Sequence, residues 1–222
     1  MKDSLDQEDA SVRLVRDERG LALVGDGMEL RGDFSRMLPR MRQGRLQREL
    51  LVKASRIKGE PAPTAVDCTA GLGEDSLLLA AAGFTVTLFE RDETIAALLA
   101  DAIERAAADP RLADAVGRMR LVAGDSISGL AALPEPPDVV YLDPMFPART
   151  KSAAVKKKFQ LLHHLEQPCD EEEALVAAAL SAHPRKVVIK RPAKGAPLAG
   201  MKPGYSIAGK AVRYDVLVPP RP

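Results

Sequence analysis

The sequence predicts an α/β fold, a doubly wound and mostly parallel sheet of seven strands with a small antiparallel β extension at the N-terminus. From residue 64 onward, strand-like and helix-like apolar stretches alternate, which is typical of a parallel sheet covered by helices on both faces. The last two apolar stretches, Tyr205–Ile207 and Val212–Val218, flank a glycine-containing turn and predict a closing hairpin. Before residue 60, short apolar stretches separated by tight turns predict the extension.

The N-terminal part is predicted as a separate first domain, residues 1–60. Its first ten residues are polar and acidic, which is typical of a frayed tail. A basic amphipathic helix is expected over Leu46–Ile57, where apolar residues recur on one face. The proline-rich stretch at 60–63 marks the boundary to a second domain, residues 61–222. Strands of the extension are expected at Val12–Val15, Leu21–Val24 and Met28–Phe34.

The second domain is expected to contain the main sheet. The alternating pattern separates short apolar runs rich in β-branched residues from longer runs with helical spacing. Strands are expected at 65–68, 85–90, 119–123, 138–143 and 186–190, and helices at 74–82, 93–108 and 171–182, with another near 152–165.

Composition places the chain among soluble globular proteins. Its 222 residues are 46% apolar and 28% charged, which is ordinary for a sizeable domain. The two cysteines and three histidines match no disulfide or metal-ligand spacing, so we expect a reducing compartment and no metal. No apolar run reaches the length of a membrane span, and no signal-like core follows the N-terminus. We therefore expect a cytoplasmic protein without a membrane partner.

Basic residues are clustered, although the net charge is only +1. Between Arg31 and Lys58 there are nine Lys or Arg and two acidic residues. Such clusters favour a nucleic-acid partner, and the alternative is a set of solvated helix faces. The other two clusters comprise Arg149, Lys151, Lys156, Lys157 and Lys158, and Arg185, Lys186, Lys190, Arg191 and Lys194.

A glycine turn follows the first predicted strand of the main sheet. Gly71 and Gly73 let the backbone approach a ligand, and the helix that follows begins with free N–H groups. Ser76 stands where the dinucleotide fingerprint requires a third glycine, which disfavours a dehydrogenase. Glu90 ends the second strand, about 20 residues after the glycine turn, which is the sequence position typical of an acid that binds ribose hydroxyls. The order of these features predicts a nucleoside-containing cofactor.

Asp125 follows the third predicted strand of the main sheet. In a nucleoside-binding sheet, this position commonly meets the adenine ring and its amino group. The same carboxylate could instead cap the next short helix. Both interpretations stay open at this point.

An acidic residue, a proline and an aromatic end the fourth strand, as Asp143, Pro144 and Phe146. The carboxylate and flanking carbonyls can accept hydrogen bonds from an amino group, and proline adds no N–H donor. The ring of Phe146 can stack on a flat heterocycle. This combination favours an enzyme that grips a nucleobase amine, and the alternative is a surface turn.

These motifs together resemble class I S-adenosylmethionine-dependent methyltransferases. More closely, the chain resembles the RsmJ family of ribosomal small-subunit guanine-N2 methyltransferases, from about Gly44 to Val218. Where this chain has Glu74-Asp75 and Asp125-Ser126, family members often carry Arg-Asp and Ser-Ser. The shared stretches are Asp67–Asp75, Leu88–Arg91, Val140–Pro147, Lys151–Lys157 and Val187–Pro192.

The resemblance implies a cofactor, a partner and a set of site residues. The cofactor would be S-adenosylmethionine, and the partner ribosomal RNA or the small ribosomal subunit. The implied cofactor-binding residues are Gly71, Glu74, Asp75, Glu90, Arg91, Asp125, Ser126 and Asp143, and the implied catalytic residues are Asp143, Pro144 and Phe146.

The implied reaction is methylation of the exocyclic N2 amine of a guanosine. Asp143 and the carbonyl of Pro144 would accept the protons of the amine, and Phe146 would stack on a base that has left its helix. Two alternatives stay open: an N-methyltransferase of a protein side-chain amide or small molecule, and a non-catalytic RNA-binding assembly factor. The target nucleotide and the oligomeric state are open as well.

Overall fold

The computed structural model describes residues 12–25, 27–144 and 171–220. The N-terminal part begins with an antiparallel sheet, formed by β1 (Arg13–Asp17), β2 (Gly20–Gly25) and β3 (Met28–Leu30). It continues with a 3-10 helix at Phe34–Met37, helix α1 (Leu38–Met41), a 3-10 turn at Leu46–Arg48, and helix α2 (Leu50–Ser55).

The main sheet has seven strands in the order β6-β5-β4-β7-β8-β10-β9. Strands β4 to β8 are parallel, and β10 pairs antiparallel with both β8 and β9. This arrangement confirms the predicted doubly wound sheet and its closing hairpin. The elements are β4 (Thr64–Asp67), α3 (Glu74–Ala81), β5 (Thr85–Glu90), α4 (Glu93–Ala107), α5 (Ala113–Val116), β6 (Met119–Ala123), α6 (Ser126–Ala131), β7 (Val139–Leu142), α7 (Glu172–Ser181), β8 (Lys186–Pro192), a 3-10 turn at Leu198–Gly200, β9 (Tyr205–Ala208) and β10 (Val212–Leu217).

The sheet has a switch point between β4 and β7. From β4, the strands β5 and β6 follow on one side of the sheet, and from β7, the strands β8, β10 and β9 follow on the other. Strands β4 and β7 are neighbours, with Ala65 opposite Val139 and Asp67 opposite Tyr141, although β5, β6 and four helices separate them in sequence. Ligands of open α/β sheets bind at such a switch point, outside the carboxyl ends of the strands. The motifs that follow β4, β5, β6 and β7 all reach this edge.

The single helix expected over Leu46–Ile57 is wrong. Glu49 has an extended backbone (φ −58°, ψ 131°), which separates the 3-10 turn from α2. Its carboxylate accepts two hydrogen bonds from Arg40, at 2.7 and 3.0 Å, so an ion pair holds the break. The pattern of apolar residues alone did not indicate this interruption.

Two smaller differences and one untested helix complete the comparison. Strand β3 ends at Leu30, before Asp33 caps the 3-10 helix by accepting a hydrogen bond from the Ser35 N–H. The short helix α5 was not expected from the sequence. The expected helix near 152–165 lies outside the described residues.

The N-terminal part packs on the main sheet rather than around a core of its own in the described residues. Leu23 and Leu30 pack with Ile95 and Leu98 of α4. Residues of the 3-10 helix and α2, such as Leu51, join the largest apolar cluster of the main domain. The division at residue 60 stays a prediction. Within the described residues, no helix combines the length and apolar character of a membrane span.

A buried carboxylate ties the extension to α4. Asp101 is 3% exposed and accepts hydrogen bonds from Arg16 of β1 and Arg105, both at 2.7 Å. Burial alone would raise its pKa, but Arg105, the N–H of Leu21 and Arg16 hold the pKa of Asp101 below its usual value. Folding therefore favours the ionised form of this side chain.

We predict that Asp101→Asn lowers the free energy of unfolding by about 1–3 kcal/mol near pH 7, because a buried charged acceptor is lost. The contribution is present above the unfolded pKa of about 3.9, and it disappears as pH falls through the lower folded pKa. Asp114→Asn is the matched control, since Asp114 pairs with Arg118 at the same helical spacing but is 84% exposed. It should cost no more than about 0.5 kcal/mol. Equal losses in urea unfolding would contradict the prediction.

Candidate active site

The glycine turn between β4 and α3 forms one wall of the site. Gly71 and Gly73 have φ values of +53° and +76°, in the left-handed region that favours glycine. A Cβ on Gly73 would lie 2.6 Å from Leu99 Cδ1, whereas a Cβ on Gly71 would meet nothing within 4 Å. Gly73 is therefore needed for packing, and Gly71 borders open space at the edge of the sheet.

Glu90 lies beside this turn at the end of β5. One oxygen accepts the N–H of Gly71 at 2.8 Å and the other accepts the N–H of Asp92 at 2.9 Å. Burial raises the pKa of Glu90, and these two N–H groups oppose the rise. Each oxygen keeps capacity for a second hydrogen bond, as ribose hydroxyls would require. The neighbouring Arg91 is exposed.

Asp125 caps helix α6, which was the alternative interpretation of this residue. Its carboxylate accepts the Ser128 N–H at 2.8 Å and the Ser128 hydroxyl at 2.6 Å. These bonds hold the pKa of Asp125 below its usual value. Ser126 is buried next to Cys68, and Gly124 borders open space. The role of Asp125 and Ser126 toward a cofactor stays a prediction.

Two carboxylates share one ammonium group at the centre of the edge. Lys190 Nζ donates to Asp75 Oδ2 and to Asp143 Oδ2, both at 2.7 Å. The hydroxyl of Tyr141 donates to the same oxygen of Asp75, at 2.7 Å. This cluster joins the start of α3 to the ends of β7 and β8. Glu74, next to Asp75, belongs to the same first turn of α3.

The protonation states within this cluster follow from its burial and charges. Burial would lower the pKa of Lys190, but Asp75 and Asp143 hold it well above its usual value, so the amine stays charged. Burial raises the pKa of Asp143, and Lys190 only partly opposes this rise. Burial also raises the pKa of Tyr141, so its hydroxyl stays a donor.

A second set of hydrogen bonds fixes the backbone at Asp143. The N–H of Asp143 donates to Thr69 Oγ1 at 2.7 Å, and the N–H of Thr69 donates to Asp67 at 3.0 Å. Ser76, the residue that broke the dinucleotide fingerprint, donates its hydroxyl to Asp67 at 2.5 Å. The carboxyl of Asp67 therefore connects the glycine turn, α3 and the end of β7.

Some residues of the site were not predicted. Lys190 was assigned to a basic cluster, Tyr141 to an apolar strand, and Thr69 had no role. The available signal for Lys190 was its position at the end of an apolar strand parallel to the one that ends at Asp143. Pro144 is buried directly after Asp143, and Phe146 lies outside the described residues.

The third basic cluster is not one exposed surface. Four of its five side chains donate to groups of the protein, and Lys194 is exposed. The second cluster lies outside the described residues. The donating residues are Arg185 (to Glu60 and Asp138), Lys186 (to the carbonyls of Ala54 and Arg56), Lys190 (to Asp75 and Asp143) and Arg191 (to the carbonyl of Ala196).

The edge fits a nucleoside-containing cofactor. Gly71 and Gly124 border open space on either side of the loop that follows β5. The carboxylate of Glu90, at the end of β5, offers hydrogen-bond acceptors there. Acidic side chains also suit a ligand that carries positive charge. In the described part of the chain, no group of three or more His, Cys, Asp or Glu is arranged to hold a metal ion.

Comparisons with known proteins agree with this geometry. A family model described as "Putative SAM-dependent methyltransferase" matches residues 3–219. The likeness therefore begins well before Gly44, where the resemblance was expected to start. A match that covers nearly all of the chain assigns S-adenosylmethionine as the cofactor.

The relatives are named consistently. The ribosomal RNA small subunit methyltransferase J of Thioalkalivibrio sulfidiphilus is 45% identical over 92% of this chain and 84% of its own. The protein of the same name from Neisseria gonorrhoeae is 40% identical over 91% and 82%. The crystal structure of a SAM-dependent methyltransferase from Neisseria gonorrhoeae matches with a TM-score of 0.79 and 33% identity, covering 96% of this chain and 85% of its own.

Asp67 generates a testable dependence of stability on pH. Burial raises its pKa to about 7, against the hydrogen bonds from Ser76 and Thr69 and with the added repulsion of Asp75 and Asp143. The unfolded value is about 3.9. Folding therefore favours the protonated form, and its contribution is complete below pH 4 and is lost as pH rises toward 7.

We predict that Asp67→Asn, which stays neutral, becomes more stable relative to the unchanged protein as pH rises from 5 to 8. The difference in the free energy of unfolding between the two proteins should reach about 1–4 kcal/mol at pH 8, because of the size of the pKa shift of Asp67. Asp109→Asn is the control, because Arg111 lowers the pKa of Asp109 to about 2 and this residue is charged throughout that range. Parallel stability curves for the Asp67 variant and the unchanged protein would contradict the prediction.

Proposed function

Because the chain belongs to the family of the ribosomal RNA small subunit methyltransferases J, we propose that it methylates a guanosine of small-subunit ribosomal RNA. The methyl group goes to the exocyclic N2 amine. The observation that supports this proposal best is the carboxylate of Asp143, which is 36% exposed at the switch point of the sheet. It offers an acceptor to an amine next to the cofactor wall formed by the glycine turn.

The residues that hold the cofactor follow the order of the strand ends. Glu90 accepts from the ribose hydroxyls, and Gly71 allows close approach of the nucleoside. Asp125 and Ser126 lie on the adenine side, after β6. When bound, S-adenosylmethionine supplies a methyl group on a sulfonium centre, which is electrophilic without further activation. Glu74, Asp75 and Arg91 complete the set at the starts of α3 and α4.

Asp143 accepts the protons of the substrate amine. A guanine amine is a poor nucleophile, because its lone pair is delocalised into the ring. Hydrogen bonds from the amine to Asp143 and the Pro144 carbonyl favour a pyramidal nitrogen with a localised lone pair. The N–C bond forms as the S–C bond breaks, and the amine loses one proton, which a carboxylate with a raised pKa is suited to accept.

Lys190 and Thr69 position Asp143 for this role. Lys190 occupies one carboxylate oxygen of Asp143 and leaves the other for the amine. Thr69 accepts the backbone N–H of the same residue, so side chain and backbone are both held. Orientation of this kind accounts for a large share of the rate when the reagent is already electrophilic. Phe146 stacks on the base that enters from the RNA.

The function is tested by methyl transfer from labelled cofactor to small ribosomal subunits from cells that lack the protein. We expect label in ribosomal RNA, and nucleoside mass analysis should identify N2-methylguanosine. Label on a ribosomal protein would favour methylation of a side-chain amide instead. Cofactor binding without any transfer would favour an assembly factor.

We predict that Glu90→Gln weakens S-adenosylmethionine binding by about 1–3 kcal/mol, because hydrogen bonds to a charged acceptor are lost. Calorimetry on the folded variant measures the change. Glu93→Gln is the control, since Glu93 is exposed three residues later at the start of α4. An unchanged affinity for Glu90→Gln, with a melting curve like that of the unchanged protein, would remove Glu90 from the site.

We predict that Asp143→Ala lowers the single-turnover rate by about 10²–10⁴-fold, the range of general acid–base groups. The fold should persist, because the side chain lies at a strand end and Lys190 keeps Asp75 as a partner. Glu135→Ala is the control, as Glu135 is exposed in the loop before the same strand. Near-normal rates at saturating cofactor and RNA would leave the Pro144 carbonyl as the proposed acceptor.

A further inference from the structure

A groove lies at the opposite edge of the sheet from the candidate active site. It has a volume of about 770 Å³ and is lined by α2, the segment after it, and residues at the amino ends of β4 and β5. The apolar part of its lining includes Leu46, Val52, Ile57, Pro61, Pro63 and Phe84. A volume in this range is typical of ligand sites.

The groove is distinct from the site of methyl transfer. Phe84 lines it just before β5 begins, whereas Glu90 ends the same strand. A strand rises about 3.3 Å per residue, so the two ends of β5 lie about 17 Å apart. A ligand in the groove is therefore well separated from the carboxylate of Glu90.

Three cations line the groove. Lys53, Arg56 and Lys58 are exposed, and none forms an ion pair within the described ranges. Glu60 is the one acidic residue of the lining, and its carboxylate pairs with Arg185 at 3.3 Å. The cations thus remain available to an anionic ligand.

The groove also lies in a basic part of the chain. Residues 42–58 contain six Lys or Arg and one acid, and the rest of the chain contains 26 Lys or Arg and 30 Asp or Glu. The one acid, Glu49, is paired with Arg40. In a nearly neutral protein, a segment with this excess of positive charge attracts polyanions.

The backbone around these cations is held in place. Lys186 of β8 donates to the carbonyls of Ala54 and Arg56, at 3.2 and 2.7 Å, which ties the end of α2 to the sheet. Arg56 itself has an extended backbone that turns the chain out of the helix. A preformed site of this kind loses less entropy on binding.

We propose that this groove binds an unpaired stretch of the RNA substrate, a few nucleotides away from the target base. Phosphates contact Lys53, Arg56 and Lys58, and a base or ribose lies on the apolar floor. The mixture of exposed cations and apolar surface is the chemistry of single-strand binding, in which charge supplies affinity and flat bases supply contact area. This inference rests on the proposed function, since it takes RNA as the substrate.

The test measures binding rather than catalysis, so that its failure is distinct from failure of the proposed function. The probe is a fluorescent single-stranded RNA of twelve mixed-sequence nucleotides, followed by anisotropy between 50 and 300 mM salt. The variant is the triple substitution Lys53→Ala, Arg56→Ala and Lys58→Ala. The control triple is Arg13→Ala, Arg120→Ala and Lys202→Ala, which removes three exposed cations outside the groove.

We expect the groove triple to lower RNA affinity at least tenfold at 150 mM salt. The slope of log affinity against log salt should shrink by about 2, at about 0.7 for each phosphate contact to single-stranded RNA. The control triple should change affinity less than threefold. The unchanged protein should also bind the single strand more tightly than the same sequence in a duplex, because only unpaired bases reach the apolar floor.

Equal losses for the two triples would overturn the inference, because the effect would then be net charge alone. Equal affinity for the single strand and the duplex would contradict the proposal that an unpaired base lies on the apolar floor of the groove. A groove triple that binds RNA normally but loses an acidic peptide would assign the groove to a protein segment. If the unchanged protein transfers no methyl group to ribosomal RNA, the proposed function fails whatever the groove triple shows.

Discussion

The site is organised by one ammonium group that neutralises two carboxylates. Lys190 Nζ lies 2.7 Å from both Asp75 and Asp143, at the edge where α3, β7 and β8 converge. Burial and the charge of Asp75 both raise the pKa of Asp143, and Lys190 is the cation in contact with Asp143 that opposes this rise. The ammonium therefore sets the charge of the site and the separation of three elements at once.

The neighbouring carboxyl of Asp67 differs from that of Asp143 in its partners and in its pKa. Among the described residues its partners are hydroxyl and N–H donors and no cation. Burial raises its pKa to about 7, and the charges of Asp75 and Asp143 add to this rise. The carboxyl of Asp67 fixes the glycine turn through its hydrogen bonds with Ser76 and Thr69, and it does not act as a permanent charge.

The sequence predicted the fold better than it predicted the contacts. Alternating elements and the terminal hairpin were sufficient to indicate the seven-stranded sheet, because hydrophobic period and connection handedness restrict the choices. The break at Glu49 was missed, because it depends on an ion pair with Arg40 rather than on local apolar spacing. Lys190 was read as part of a nucleic-acid surface, because charge clustering along the chain does not reveal which cations meet carboxylates after folding.

The polarity of the sheet explains why binding and chemistry would occupy different edges. The carboxyl edge collects Asp67, Asp75, Glu90, Asp125 and Asp143, which suits a sulfonium cofactor and an amine but repels the phosphates of RNA. The basic segment around α2 lies away from that edge, where its cations can attract the phosphates. Such a division lets the base enter an acidic pocket while its backbone stays on cations, so tight RNA binding need not neutralise the carboxylate that receives the amine.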